Sequence, residues 1–318
     1  MRKGFAASDT EIQEVVMLNE HQKKLVKMIQ GLGAKYSTWS VFNDFLTMAA
    51  TAISNAVDPV HREEREKLYM EAIGHYRKDE QSVFPEMFTV LVQAADQAMA
   101  MEGPKDILGA VFHDLELHNK YKGQFFTPQS IADMMAQISG VQEPPEGKNY
   151  IMLCEPTCGS GVMVISAAKV LLKEKKSPAA NMVALACDLD FKCTCMAYIQ
   201  LSLYGIPAVV EHANTLTCEV FSRWYTPVYL WNGWLLRERI GITTADGAED
   251  DRALIATLHP VEWALLSCMA MIAGKKQEPL EEKSGPAETR PEIVEPELPR
   301  TVPEAELFVR KNGQMSLF

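Results

Sequence analysis

The run Glu155-Pro-Thr-Cys-Gly-Ser-Gly161 sets a carboxylate and two glycines where an apolar strand candidate, YIMLCEP (150–156), gives way to the helical VMVISAAKVLLK. Glycines at such a junction allow a tight turn and let backbone N–H groups approach a bound group. A lone Gly-x-Gly is weak, because many strand-to-helix turns need glycine for geometry alone. About 27 residues later a second apolar run, MVALACDLD (182–190), ends in Cys187-Asp188-Leu189-Asp190. An acid at the end of that strand can hold both ribose hydroxyls of a nucleoside. It can also cap the next helix, a part that Asp190 could fill equally well.

Upstream, Gly123-Gln-Phe-Phe-Thr-Pro128 precedes a helix from Gln129, and downstream His212-Ala-Asn-Thr-Leu216 closes a third apolar run, PAVVEHANT (207–215). The order GQFFTP, EPTCGSG, DLD, HANTL resembles the N6-adenine DNA methylases, especially the modification subunits of type I restriction systems, over roughly residues 105 to 220. The resemblance implies S-adenosylmethionine (SAM) as cofactor and DNA as substrate. It also implies roles. Phe126, Thr127 and Pro128 match the motif whose threonine meets the methionine end of SAM. Glu155, Gly159 and Gly161, with Ser160 between the glycines, match the turn whose acid lies near the SAM amino group. Asp188 matches the ribose-binding acid, and Asn214 the position that contacts the adenine ring. Phe125 and Phe126 could instead be core residues, and Thr127-Pro128 is also an ordinary helix start.

Transfer to adenine needs a further part. An exocyclic amine is a poor nucleophile, and its base must leave the duplex before it can react. In the family an Asn-Pro-Pro-Phe/Tyr loop accepts hydrogen bonds from the amine and stacks its ring on the base, which aligns the nitrogen and stabilises developing charge. The chain has no such tetrapeptide. The nearest is Thr226-Pro227-Val228-Tyr229, in FSRWYTPVYLWNGW, which makes Thr226, Pro227 and Tyr229 the candidate catalytic residues of a degenerate loop. A threonine hydroxyl can accept a bond, but it is shorter than asparagine and sets different geometry. The aromatic residues Trp224, Tyr225, Tyr229, Trp231 and Trp234 could stack on bases or pack a core.

Elements must position these runs. Strand, helix, strand, helix, strand at this spacing is the signature of a parallel doubly wound sheet. The expected fold is therefore α/β, a Rossmann-like SAM-dependent methyltransferase sheet over residues 121–274. Only about 60 residues separate Leu216 from the tail, too few for four further strands with crossovers, so the sheet is expected to be truncated. Residues 1–120 read as an all-helical N-terminal domain, from the apolar spacing in IQEVVMLNEHQKKLVKMI, WSVFNDFLTMAATAI and FPEMFTVLVQAADQAM. Between the last two, HREEREKLYMEAIGHYRKDE reads as a solvated helix. Residues 275–318 are rich in proline and glutamate and read as a disordered tail.

Bulk properties narrow the classes. No run approaches the roughly 20 apolar residues that span a bilayer, and the N-terminus lacks the apolar core of a secretory signal, so a cytoplasmic protein is expected. The cysteines number seven with no Cys-x-x-Cys pair, which points to reduced core thiols and away from zinc. A net charge of −11 argues against strong independent grip on DNA phosphates and for a partner, such as a specificity subunit, that supplies it. The chain ends Gln314-Met-Ser-Leu-Phe318, which resembles the bacterial sliding-clamp-binding motif. Leu317 and Phe318 would enter an apolar pocket and Gln314 would bond at its rim, unless the peptide docks on the protein's own body.

Three functions follow from these residues. The first is an active adenine-N6 methyltransferase of restriction-modification type, with 226–229 as its loop. The second is a SAM-binding pseudo-methylase tethered to the sliding clamp. The third is a structural subunit that docks through its helices and ignores SAM.

Overall fold

The computed structural model describes residues 18–115, 126–146, 148–234 and 315–316. Helices Glu20–Tyr36 (α1), Thr38–Val57 (α2), Arg62–Gly74 (α3), Val83–Met101 (α4) and Ile107–Asp114 (α5) form the N-terminal region. Gln129–Ile138 (α6) leads into Ile151–Glu155 (β1), Val162–Lys173 (α7), Pro178–Asn181 (α8), Met182–Asp188 (β2), Phe191–Leu203 (α9) and Ala208–Asn214 (β3). Glu219–Tyr225 (β4), Pro227–Trp231 (α10) and the two-residue Met315–Ser316 (β5) follow. The expected α/β class and helical N-terminal region are borne out.

Local chemistry sets the helix ends. Asn19 opens α1 with a capping box, accepting from Gln22 N while Gln22 Oε1 accepts from Asn19 N. Asp106 caps α5 and Asp190 caps α9, each accepting backbone N–H bonds of the first turn. The apolar residues of α2, Val41, Phe42, Phe45, Leu46 and Ala49, recur at helical spacing and are buried. The charged α3 is not simply solvated. Its Arg65 is 3% exposed, stacks on the Trp224 ring with its guanidinium carbon 3.3 Å from the centroid, and donates from Nη2 to the Arg223 carbonyl at 2.5 Å.

The sheet order is β4-β3-β2-β1-β5. Strands β1, β2 and β3 run parallel, with Leu153 opposite Ala184 and Ala184 opposite Ala208. This is the expected progression, with α7 and α9 as its crossovers. Leu153, Ala184, Ala208 and Val210 face these two helices in one buried cluster, whereas Val183 faces the other way, with Met152, Val209, Tyr229 and Trp234. Both crossovers therefore cover one face, and α10 and the residues around it cover the other among the described residues. The third strand is followed by an antiparallel β4, Val209 opposite Tyr225, where the sequence reading has only the FSRWY segment. The short β5 lies parallel to β1, with Met315 opposite Leu153 and Ser316 opposite Cys154. The rest of the tail read as disordered lies outside the described residues.

One hydrophobic core runs from Leu18 to Trp224, across the expected boundary at residue 120. Helix α2 does not bury its apolar face within the helical region alone; it packs on α9 of the sheet layer. The helical region and the sheet thus share one core.

Candidate functional site

The site is built at the carboxyl ends of β1, β2 and β3, where open α/β sheets place ligands. Strand β1 ends on Glu155, and the chain turns through Pro156–Gly161 into α7. Gly159 and Gly161 have φ of 54° and 94°, a region that L side chains rarely adopt. Space is tight as well. A Cβ on Gly159 would lie 3.1 Å from the Phe126 ring, and one on Gly161 would lie 3.3 Å from the Ala197 backbone. The turn is tied to β2, with Cys158 N donating to Cys187 O at 2.7 Å and Gly159 N to Asp188 Oδ2 at 2.8 Å.

Two carboxylates face this turn. Glu155 is 3% exposed. Its Oε1 accepts from Thr157 N at 3.2 Å, while Oε2 has no partner among the described residues. Burial pushes its pKa above the ordinary carboxylate value. Asp188 accepts from Gly159 N on one oxygen and from Asp190 N, at 2.8 Å, on the other, and burial raises its pKa too. Each of its oxygens keeps a further lone pair for a hydroxyl donor. Asp188 thus holds the turn in place, while Asp190 takes the capping role on α9.

The remaining cofactor candidates gather nearby. Phe126 lays its ring beside Gly159 and packs on Phe112 and His113, with centroids 5.0 and 5.6 Å apart. It is core and cover together. Thr127 and Pro128 are exposed at the start of α6; Gly123, Gln124 and Phe125 lie outside the described residues. Asn214 ends β3, two residues beyond His212, which is level with Asp188. Its Oδ1 accepts from Leu216 N and Thr217 N at 3.1 and 3.3 Å, closing the β3–β4 turn.

The candidate catalytic residues are elsewhere. Thr226 follows β4, which runs back along β3, and so it reaches the opposite end of the sheet. Its hydroxyl donates to Ile206 O and accepts from Ala208 N, both at 2.9 Å, and the residue is fully buried. Ala208 begins β3, about 13 Å of strand away from the His212–Asp188 level at roughly 3.3 Å per residue. Pro227 opens α10 at its first turn. Tyr229 is 1% exposed and stacks on Tyr225 with centroids 5.7 Å apart. The structure therefore brings Glu155, Gly159, Ser160, Gly161, Asp188 and Asn214 to one end of the sheet and does not bring Thr226, Pro227 and Tyr229 to them. Of the aromatic cluster, Trp224, Tyr229 and Trp234 are core, and Trp231 is exposed.

Two residues that touch the turn escape the sequence reading. Asp106 accepts from the Ser160 hydroxyl, and Gln200 donates to the Ser160 carbonyl. The signal for Gln200 was a lone amide in the apolar run CMAYIQLSL, and for Asp106 a cap residue ahead of ILGAVF. Gln314, Leu317 and Phe318 lie outside the described residues. Among the described residues no metal-holding cluster occurs, and no helix is long and apolar enough to cross a membrane.

Residues 105–228 match the sequence model of the N-6 DNA Methylase family. Among solved structures, the chain is similar to a type I restriction-modification methyltransferase subunit from Streptococcus thermophilus, at 20% identity and a TM-score of 0.33 over 61% of this chain and 39% of that one. A protein named as a class I SAM-dependent methyltransferase from Listeria monocytogenes gives 12% identity, a TM-score of 0.35, and coverage of 68% and 69%. A type I restriction modification subunit from Vibrio vulnificus gives 11%, 0.38, and coverage of 63% and 57%. The chain thus spans 39% of the length of the Streptococcus subunit. No curated protein matches the chain.

Proposed function

We propose that this chain is a SAM-binding protein of the N-6 DNA methylase kind that does not transfer methyl groups by itself. The observation that carries the first half is Glu155 Oε2, a buried acceptor at the glycine turn with no partner among the described residues. An ammonium group is the donor such a carboxylate lacks. The residues present fit SAM: Glu155 toward its amino group, Asp188 toward the ribose hydroxyls, Asn214 toward the base, and Phe126, Thr127 and Pro128 beside the methionine end. When bound, SAM supplies an electrophilic methyl group on a sulfonium. What the chain's own residues do is bind, orient and cover; the Phe126 ring lies so close over Gly159 that an added Cβ would crowd it at 3.1 Å.

The second half rests on Thr226, whose hydroxyl already bonds Ile206 and Ala208, and on the buried ring of Tyr229. Neither group is free to accept an adenine amine or to stack on a base. The family match running through residue 228 favours the alternative, an active adenine-N6 methyltransferase in which 226–229 is remodelled on binding. We hold the inactive form as the main reading. DNA would then be met through a partner such as a specificity subunit or the sliding clamp, in the cytoplasm.

Calorimetric titration of the purified chain with SAM tests the cofactor half. Wild type should bind, and Asp188→Ala should weaken binding by about tenfold or more, since it removes charged-group hydrogen bonds and unties Gly159. Equal affinity in the folded variant would place the ligand elsewhere.

A further inference from the structure

The glycine turn is gripped from behind by two side chains for which binding SAM gives no direct use. Asp106, just ahead of α5, accepts the Ser160 hydroxyl on Oδ2 at 2.5 Å. Its Oδ1 accepts from Gly109 N at 2.8 Å and from Gln200 Nε2 at 2.9 Å. The same Gln200 amide donates to the Ser160 carbonyl at 2.8 Å, and its Oε1 accepts from Ile107 N and Leu108 N at 2.6 and 3.0 Å. Both donor hydrogens and both acceptor lone pairs of this amide are used. Gln200 is 1% exposed and Ser160 is fully buried. A buried polar network with every member satisfied fixes one geometry, and a partly satisfied one is worse than an apolar core.

A branch of the network reaches the other side of the site. Asp106 N donates to Gln129 Oε1 at 2.8 Å, and Gln129 Nε2 donates to Ser166 Oγ at 3.0 Å. Gln129 directly follows Pro128, so the segment that covers Gly159 is tied to the backbone of the same residue whose carboxylate holds Ser160.

We propose that Asp106 and Gln200 are positioning residues, a latch by which the helical N-terminal region holds the Ser160 peptide, and with it the Glu155–Gly161 turn, in the shape that binds the methionine end of SAM. The latch rests on the SAM reading. Its effect should be strongest at that end, because Asp188, which faces the ribose in the SAM reading, keeps its bond from Asp190 N when the one from Gly159 N loosens.

The test compares affinity for SAM with affinity for adenosine, which lacks the methionine end, in wild type, Gln200→Leu and Asp106→Asn. Amide exchange across residues 155–161 is followed in the ligand-free proteins. Gln200→Leu should bind SAM about tenfold more weakly, keep adenosine within about twofold, and exchange faster at the turn. Asp106→Asn should show the same split, because its amide oxygen still accepts from Gly109 N while the Ser160 hydroxyl loses its acceptor. If Gln200→Leu does not fold, Ser160→Ala removes one bond of the latch and should show the same split at smaller size. Unchanged SAM affinity and exchange in a folded variant would overturn the latch. So would equal loss of SAM and adenosine, which marks general destabilisation. A wild-type chain that binds neither ligand fails the cofactor reading itself, and the latch falls with it.

Discussion

At the scale of single residues, the site trades stability for an unpaired acceptor. The folded Glu155 carboxyl holds its proton to higher pH than the unfolded one, because burial disfavours the charge. Its favourable contribution is therefore present below the ordinary carboxylate range and lost as pH rises through the folded value. At neutral pH the buried carboxylate is a cost. Glu155→Gln should stabilise the protein by about 1 kcal/mol at pH 7, with the gap from wild type closing as the pH falls toward 4, and should abolish measurable SAM binding. Urea melts at the two pH values check the first part, and a gap that ignores pH would refute it. SAM affinity of wild type should itself decline with acid, beginning above the usual carboxylate range, as Glu155 and Asp188 take up protons. The placement of these acids was legible in sequence because each stands at the end of an apolar run. The division of labour between Asp188 and Asp190 was not, since both sit at cap spacing and only the placement of Gly159 N separates them.

At the scale of elements, three strands with their crossovers were readable from apolar runs and glycine punctuation. Strand β4 was not. Its FSRWY carries one fully buried side chain, Trp224, and an apolar Phe221 on the exposed face with a polar Ser222 on the inner one hides the alternation that marks a half-buried strand. Missing β4 is what made 226–229 read as a loop at the cofactor end; an antiparallel return moves it to the other end of the sheet. There Thr226 acts as a clasp between β4 and the entry to β3. Thr226→Val should cost about 1–3 kcal/mol, by leaving Ile206 O and Ala208 N buried without partners, and should leave SAM affinity unaltered. Thermal melts and SAM titration read the two effects, and a variant of normal stability with lost SAM binding would contradict this placement. Helix α3 shows the same limit in reverse. Its charge pattern gave a solvated helix, whereas Arg65 lies flat on Trp224, and no spacing rule reports a cation–π contact across 159 residues of sequence.

At the scale of the whole molecule, a shared core and the Asp106–Gln200 network join the helical region to the sheet, so the N-terminal helices belong to the support of the Glu155–Gly161 turn. The terminal peptide adds a second connection, since Met315–Ser316 pair with β1 inside the run that resembles a clamp-binding motif. A peptide of the last ten residues should bind the sliding clamp, lose binding when Leu317 and Phe318 become alanine, and bind several-fold more tightly than the full chain, which must first release the β1 pairing. Fluorescence anisotropy separates these cases, and a peptide that does not bind would remove the clamp from the account. The central claim is that the proposed cofactor end of this sheet keeps its residues and that, among the described residues, no base-holding loop stands beside it. Transfer of labelled methyl from SAM to plasmid DNA lacking adenine methylation, with and without the clamp, measures it directly. The expected result is a chain that binds SAM and leaves the DNA unlabelled under both conditions. Label at adenine N6 would contradict it, and would mean that Thr226 and Tyr229 leave their buried positions to do chemistry.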